Sequence, residues 1–216
     1  MESASVWPVV VLASGRGSNL QALHQASLHN ALPIRIVGVF SDKADCGALK
    51  YAEQHGLAHQ ALAAKSFDTR EQFDAAMMQL IIDVHPQLII CAGFMRIISE
   101  LGIGLAPCPM INIHPSLLPL YQGLHTHARA LAEGQTEHGA SVHIVNSILD
   151  GGRVLSQAKV PVLANDNSSQ LAERVLNREY PLLLETVRSI IAGRITLNND
   201  NHAKVLCLND DNSSLD

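Results

Sequence analysis

The chain has few cysteines and none that are paired. Cys46, Cys91, Cys108 and Cys207 are scattered, with no C-x-x-C spacing, and three of the four lie in or beside apolar runs. Reduced, mostly buried thiols in a cytoplasmic protein are expected, rather than a disulfide framework or a cysteine zinc site. Long apolar runs are missing too. None approaches the roughly 18 residues that a membrane-spanning helix needs. Met1–Trp7 lacks the basic start and apolar core of a secretory signal. Positive charge is not in excess: the formal net charge is −5 and the isoelectric point is near 6.1. That argues against a general nucleic-acid binder. Charged residues make up only 16% and hydrophobic ones 47%, which excludes a disordered chain. The length of 216 residues fits one domain, or a domain with a short appendix. A chain of this size buries about 70% of its unfolded surface, so neither disulfides nor a structural metal is needed.

Histidine is in surplus. There are eleven, against 4% aromatics. Five of them (His114, His125, His127, His138 and His143) share one thirty-residue window, where even placement would put between one and two. That window is where chemistry is expected.

The order of elements fixes where such chemistry can sit. Val9–Ala13 is a continuous apolar run suited to a buried parallel strand. Leu20, Leu23 and Ala26 then recur at helical spacing, and Ile34–Phe40 is a β-branched second strand. A helix over Ala48–His55 closes at Gly56, and a weak third strand falls near Ala58–Ala61. An amphipathic helix is predicted over Thr69–Val84, with Phe73, Met77, Leu80, Ile81 and Val84 on its stripe, stopped by Pro86. Strands follow at Leu88–Ala92, Met110–Ile113, Ala140–Val145 and Val154–Val160. The last helical region, Ser168–Ala192, is expected to be interrupted at Pro181. This alternation predicts an α/β class: a single Rossmann-like domain with a mostly parallel sheet, helices on both faces, and later strands that pair antiparallel. Ligands then belong outside the carboxyl ends of the strands.

Ser14-Gly-Arg-Gly-Ser-Asn-Leu20 leaves the first strand and opens the first helix. Backbone N–H groups and the helix dipole there suit an anion. Gly15 and Gly17 let the backbone turn and approach a ligand. The plainer alternative is an ordinary turn with Ser18 as N-cap. Asp42, just past the second strand, sits where a ribose-binding acid of a dinucleotide site would. Leu20, however, replaces the third glycine of that fingerprint, so a terminal phosphate suits the loop better than a pyrophosphate.

Asn112 and His114 flank Ile113 at a strand end, and period two puts both on one face. An amide can donate to a developing oxyanion, and an imidazole can donate or shuttle a proton. Asp150, in Leu149-Asp-Gly-Gly152, is either a turn residue or the carboxylate that orients the histidine and raises its pKa. No G-x-S-x-G elbow is present and no cysteine is placed for activation. Such a set suits direct acyl transfer to a nucleophile that the substrate brings. His125-Thr-His127, with His138 and His143, could instead form a zinc or iron site, but no H-E-x-x-H is present. Arg70 and Arg96 are candidate anion partners.

These stretches together resemble the small, folate-dependent phosphoribosylglycinamide formyltransferase family of purine synthesis. The resemblance runs from Val9 to about Val187 through VVLASGRGSNLQAL, SDKADCGALKYAEQHG, SFDTREQFD, LIICAGFMRIIS, INIHPSLLPLYQGLHTH, EHGASVH and LDGGRVLSQAKVPV. It implies a formyltransferase fold over 1–197, followed by a flexible Asn/Asp-rich tail over 198–216. It implies 10-formyltetrahydrofolate as co-substrate and glycinamide ribonucleotide as acceptor, with no metal, no nucleic acid and no membrane, and leaves room for a homodimer. By the same resemblance, Asn112 and His114 stabilise the oxyanion and Asp150 relays the proton. Gly17, Ser18 and Asn19 hold the ribose phosphate, and Glu179 contacts the glycinamide. Arg70, Met95, Arg96, Ile97, Ile98, Asn112, Asn146, Ser147, Ile148, Leu149 and Asp150 line the folate site. The chain departs from the family pattern at Gln122 (commonly proline), at Ser147 (usually acidic) and in a shortened Glu179-Tyr180-Pro181. A formyltetrahydrofolate hydrolase or a tRNA formyltransferase would each carry an extra domain that this length does not accommodate. A sensor module without catalysis and a metal-dependent hydrolase are the readings from other classes.

Overall fold

Val9–Leu12 has no polar residue with which to face water, and it is buried to 0% exposure. It forms most of strand β1 (Trp7–Leu12) in the computed structural model, which describes residues 5–197 and 205–208. These residues fall into two compact units. The first comprises the described residues of Met1–Asn112 with Ile144–Ile148, and the second those of Ile113–His143 with Leu149–Asp216.

In the first unit, strands alternate with helices: β1, α1 (Ser18–Leu28), β2 (Ile34–Ser41), α2 (Gly47–Gln54), β3 (His59–Ala61), α3 (Arg70–Asp83), β4 (Leu88–Cys91), α4 (Glu100–Leu105) and the first three residues of β5 (Met110–His114), whose last two belong to the second unit. The strand order is β3-β2-β1-β4-β5, and the pairs are parallel. The chain winds outward from β1 through β2 to β3, then crosses back to β4 on the other side of β1. The order reverses there, so the carboxyl ends of β1 and β4 form the switch point at which open α/β sheets bind ligands.

The predicted helix at Thr69–Val84 is α3. Thr69 caps it, accepting from the Gln72 backbone N–H at 3.2 Å while the Gln72 side chain accepts from Thr69 N–H. Its buried face is Phe73, Asp74, Met77, Met78 and Ile81. Phe73, Met77, Met78 and Ile81 pack with Val10, Leu12, Phe40, Ile89 and Ile98 in one core. Helix α4 was not anticipated. It is one short turn and a half, started by Ser99, whose hydroxyl accepts from Gly102 N–H.

The second unit carries α5 (Thr126–Ala132), β6 (Glu137–Ile144), β7 (Val154–Pro161), α6 (Ser168–Ile191) and β8 (Leu206–Leu208). As expected for the later strands, β6 and β7 run antiparallel. The interruption expected at Pro181 does not occur: α6 is continuous, with Pro181 inside it. Proline removes one N–H and crowds the carbonyl one turn back. Burial of Leu171, Val175, Leu182, Leu183, Val187 and Ile190 on both sides of it holds the helix through that loss. Part of the segment expected to be a flexible tail is a strand, since Leu206–Leu208 pairs in parallel with Ser156–Ala158 of β7. The rest of 198–216 lies outside the described residues.

Gly139 shows how closely β6 and β7 approach. A Cβ there would lie 2.0 Å from the Ala158 carbonyl oxygen and 2.8 Å from the Leu117 side chain. Gly139→Ala is expected to lower stability by roughly 1–3 kcal/mol through overpacking. Urea unfolding followed by circular dichroism checks this. An unchanged midpoint would contradict the packing described.

Candidate active site

The loop after β1 belongs to the first unit. Its helix N-cap is Gly17, at φ +79°, with no side-chain cap. A Cβ at Gly17 would sit 2.6 Å from Ala48 Cα, so both conformation and space demand glycine. Gly15 is different, since nothing lies within 4 Å of its would-be Cβ. Ser18 is therefore not the N-cap but the first helical residue, and the alternative of a serine-capped turn falls. The amides of Ser18, Asn19 and Leu20 occupy the first turn, where α-helical N–H groups have no partner within the helix. That is the geometry of an anion site. Asp42 Oδ1 accepts the Ser14 hydroxyl at 2.5 Å.

The segment after β4 also belongs to the first unit. Met95 and Ile97 are exposed at 61% and 45%, whereas Ile98 turns into the core at 6%. The Arg96 guanidinium stacks over the Phe73 ring at 4.5 Å, and its Nε is buried without a hydrogen-bond partner. Arg70 opens α3 and lies 3.8 Å from Glu71, with its side chain about half exposed. In the loop after β6, Asn146 Oδ1 accepts from Ile148 N–H at 3.0 Å, which folds 146–148 into a tight turn.

The polar centre of the second unit is built around Asp150. Its backbone takes φ +47°, a left-handed conformation that costs a non-glycine residue energy and that aspartate tolerates better than most. This turn aims the carboxylate inward. Oδ2 accepts the Gly123 N–H at 2.9 Å and lies 3.4 Å from His114 Nδ1. Oδ1 lies 3.5 Å from His143 Nε2. The Gln122 side-chain amide donates to the Asp150 carbonyl at 3.2 Å, so the residue that replaces the family's proline is put to use. His114 Nε2 donates to the Tyr121 carbonyl oxygen at 3.0 Å. Both ring nitrogens of His114 therefore face acceptors. Asn112 is two residues away on β5, on the same side of the strand.

Burial opposes charge on Asp150, but the hydrogen bond with His143, the Gly123 N–H and the two imidazoles hold its carboxyl below the ordinary value. His114 behaves contrary to expectation. Burial dominates and pushes its pKa down, outweighing the Tyr121 carbonyl and the Asp150 charge that favour the imidazolium, with His143 and Arg129 also opposing it.

The remaining histidines separate by role. His125 precedes α5 at φ +58° as its N-cap residue. His127 Nδ1 and His138 Nε2 meet at 3.1 Å, one donating and the other accepting. Glu179 lies on the buried side of α6, 9% exposed. No group of three or more His, Cys, Asp or Glu side chains among the described residues is arranged to hold a metal ion. The four cysteines are free, and burial raises Cys91 to about 12 and Cys108 to about 11, far from thiolate at neutral pH. Tyr121, Gly123 and Arg129 were not singled out from the sequence. Arg129 Nη1 donates to the Gln122 carbonyl at 2.7 Å and lies over the Tyr121 ring, while the Tyr121 hydroxyl donates to Glu133, so together they fix the 121–123 turn.

An α/β chain with a glycine-capped loop after β1 and a buried histidine–carboxylate pair at the end of β5 falls in the Rossmann-like class of α/β proteins. The comparisons make this specific. The family model described as formyl transferase matches residues 8–187. Phosphoribosylglycinamide formyltransferase of Escherichia coli strain K12 is 46% identical over 179 residues, which is 82% of this chain and 84% of that protein. The Haemophilus influenzae enzyme of the same name is 35% identical, over 88% of this chain and 89% of its own. The crystal structure of glycinamide ribonucleotide transformylase 1 from Symbiobacterium toebii superposes with a TM-score of 0.88 at 32% identity, covering 93% of this chain and 94% of that one. The chain belongs to the formyl transferase family, and it is a formyltransferase.

Histidine burial predicts a pH dependence of stability. His138 is pushed down from 6.5 to about 4 by burial, then by repulsion from His127 and His114, against a bond with the Pro115 carbonyl. His114 and His127 are lowered as well. Between the two values the unfolded chain binds more protons than the folded one, so stability falls as pH drops from 6.5 toward about 4. The thermal midpoint is expected to decline across that window, and less steeply in His138→Asn. Equal slopes for the two proteins would contradict the assignment.

Proposed function

We propose that this chain transfers the formyl group of 10-formyltetrahydrofolate to the amine of N1-(5-phosphoribosyl)glycinamide, a step of purine synthesis. The observation that carries the reading is the buried His114–Asp150 pair, with His114 also donating to the Tyr121 carbonyl. The names of the relatives over more than four-fifths of the chain support the same substrates. In this reading the ribonucleotide phosphate sits on the amides of Gly17, Ser18 and Asn19, and Glu179 meets the glycinamide. The folate lies along Met95–Ile98 and the Asn146–Asp150 loop, with Arg70 and Arg96 toward its acidic end. Both substrates are small molecules, and the setting is cytoplasmic, with its thiols reduced. The formyltransferase domain spans 1–197. A homodimer remains part of the reading, and light scattering on the purified protein measures it.

The amine lone pair attacks the formyl carbon, and the carbonyl π electrons move to oxygen. Asn112 donates to that oxyanion. The nitrogen, now cationic, must lose a proton. In this reading the His114–Asp150 pair, with Nδ1 and Oδ2 3.4 Å apart, takes that proton. The proton then passes to the folate nitrogen as the C–N bond breaks, leaving the formamide and tetrahydrofolate. No covalent enzyme intermediate forms.

A spectrophotometric assay with 10-formyl-5,8-dideazafolate and glycinamide ribonucleotide tests this. Turnover should need both substrates. Asn112→Ala, His114→Ala and Asp150→Ala should each lose about 100- to 10,000-fold in kcat with the fold retained. Undiminished activity in His114→Ala would overturn the mechanism, and turnover without the ribonucleotide would overturn the acceptor.

A further inference from the structure

We infer that Ser14 is a positioning residue that couples the nucleotide loop to the folate segment, an inference that rests on the function proposed above. Ser14 follows the buried run of β1 and is 4% exposed. Its hydroxyl donates to Asp42 Oδ1 at 2.5 Å and accepts the Met95 N–H at 2.9 Å. Its own N–H donates to the Gly93 carbonyl at 2.9 Å. Asp42 follows β2, Ser14 follows β1, and Gly93 and Met95 follow β4. These three strands are neighbours in the order β2-β1-β4, at the reversal of the sheet. One serine therefore ties the carboxyl ends of three adjacent strands together where a ligand site belongs.

The polarity of the chain of bonds is fixed. An amide N–H can only donate, so Met95 requires the Ser14 oxygen as acceptor. The single hydroxyl proton must then go to Asp42. A carboxylate acceptor makes that bond short and charge-assisted, and it polarises the hydroxyl so that it accepts better from Met95. Asp42 is thus the fixed end of a relay whose other end is the first residue of the Met95–Ile98 strip. Ser14 is also three residues from Gly17, the cap of the anion loop. Ordering the loop around a phosphate and ordering the strip against a flat ring act on the same bond. Each ligand then finds part of the ordering already done by the other, and the coupling is reciprocal. A serine that only supported the fold would leave the two affinities independent.

The test uses two ligands that cannot react with each other: glycinamide ribonucleotide and 5,8-dideazafolate, which carries no formyl group. Each is titrated calorimetrically into the intact protein, alone and with the other saturating. In the wild type each should tighten the other by roughly 5-fold or more, the scale of ordinary site-to-site coupling. Ser14→Ala should bind both with coupling reduced to less than about 2-fold, well below that scale, at an unchanged circular dichroism spectrum. Asp42→Asn keeps an acceptor oxygen for the hydroxyl and should retain the coupling, whereas Asp42→Ala should lose most of it. Full coupling in Ser14→Ala, or coupling in Asp42→Ala equal to that in Asp42→Asn, would overturn the inference. Wild-type protein that binds both ligands independently would overturn it while leaving the proposed function standing. Wild-type protein that binds neither would overturn the proposed function and this inference with it.

Discussion

A carboxylate out of water must be given hydrogen bonds, and the second unit is organised by that demand at Asp150. The group receives the Gly123 N–H and stands beside two imidazoles, one on each oxygen. Each of these has its own support. Gly123 is held in the turn that Tyr121, Arg129 and Glu133 fix. His143 comes from β6, and His114 from the end of β5, with its far nitrogen on the Tyr121 carbonyl. Removing one partner from such a site leaves charge buried without compensation, which costs far more than the bond itself is worth. The left-handed backbone of Asp150 belongs to the same logic. The strain is local, and it aims the carboxylate at all three partners.

The first unit answers to a different constraint. A parallel sheet whose strand order reverses leaves a crevice between the carboxyl ends of the two strands at the reversal. The loops after β1 and β4 lie at those ends. Gly17 gives the first its helix-opening turn, and the burial of Ile98 pins the second to the core. The helix-opening amides suit a phosphate, and the exposed Met95–Ile97 strip suits a flat, hydrogen-bonding ring.

Much of this was legible in the sequence because the signals were local. A continuous apolar run marked β1, β-branched residues marked β2, short apolar stretches marked β4 and β5, and 3.6-residue periodicity marked α3. The Asn-x-His pair and the Asp-Gly turn marked the polar centre. What stayed hidden depended on tertiary packing. Pro181 reads as a helix break until the burial on either side of it is known. Ser18 reads as an N-cap until Gly17 proves to be left-handed. Helix α4, at six residues, is too short for periodicity to register. Leu206–Leu208 is three residues in an Asn/Asp-rich setting, and only the free edge of β7 makes it a strand. The function of Gln122 was equally unreadable, because its partner is a backbone carbonyl 28 residues away.

The protonation state of His114 is where sequence and structure part most instructively. A neighbouring aspartate by itself argues for a raised pKa and a histidine that begins as the acid. Burial outweighs that charge and pushes the pKa down. Yet its surroundings are built for the cation. With Nε2–H given to the Tyr121 carbonyl, the neutral ring turns a lone pair at Nδ1 toward a carboxylate, and only a proton there converts the mismatch into a charge-assisted hydrogen bond. In the proposed transfer, where a proton leaves the substrate midway, such surroundings would hold that proton briefly. Asp150 then need not be protonated at any point, and its lowered pKa is what keeps it available as the anion that the imidazolium requires.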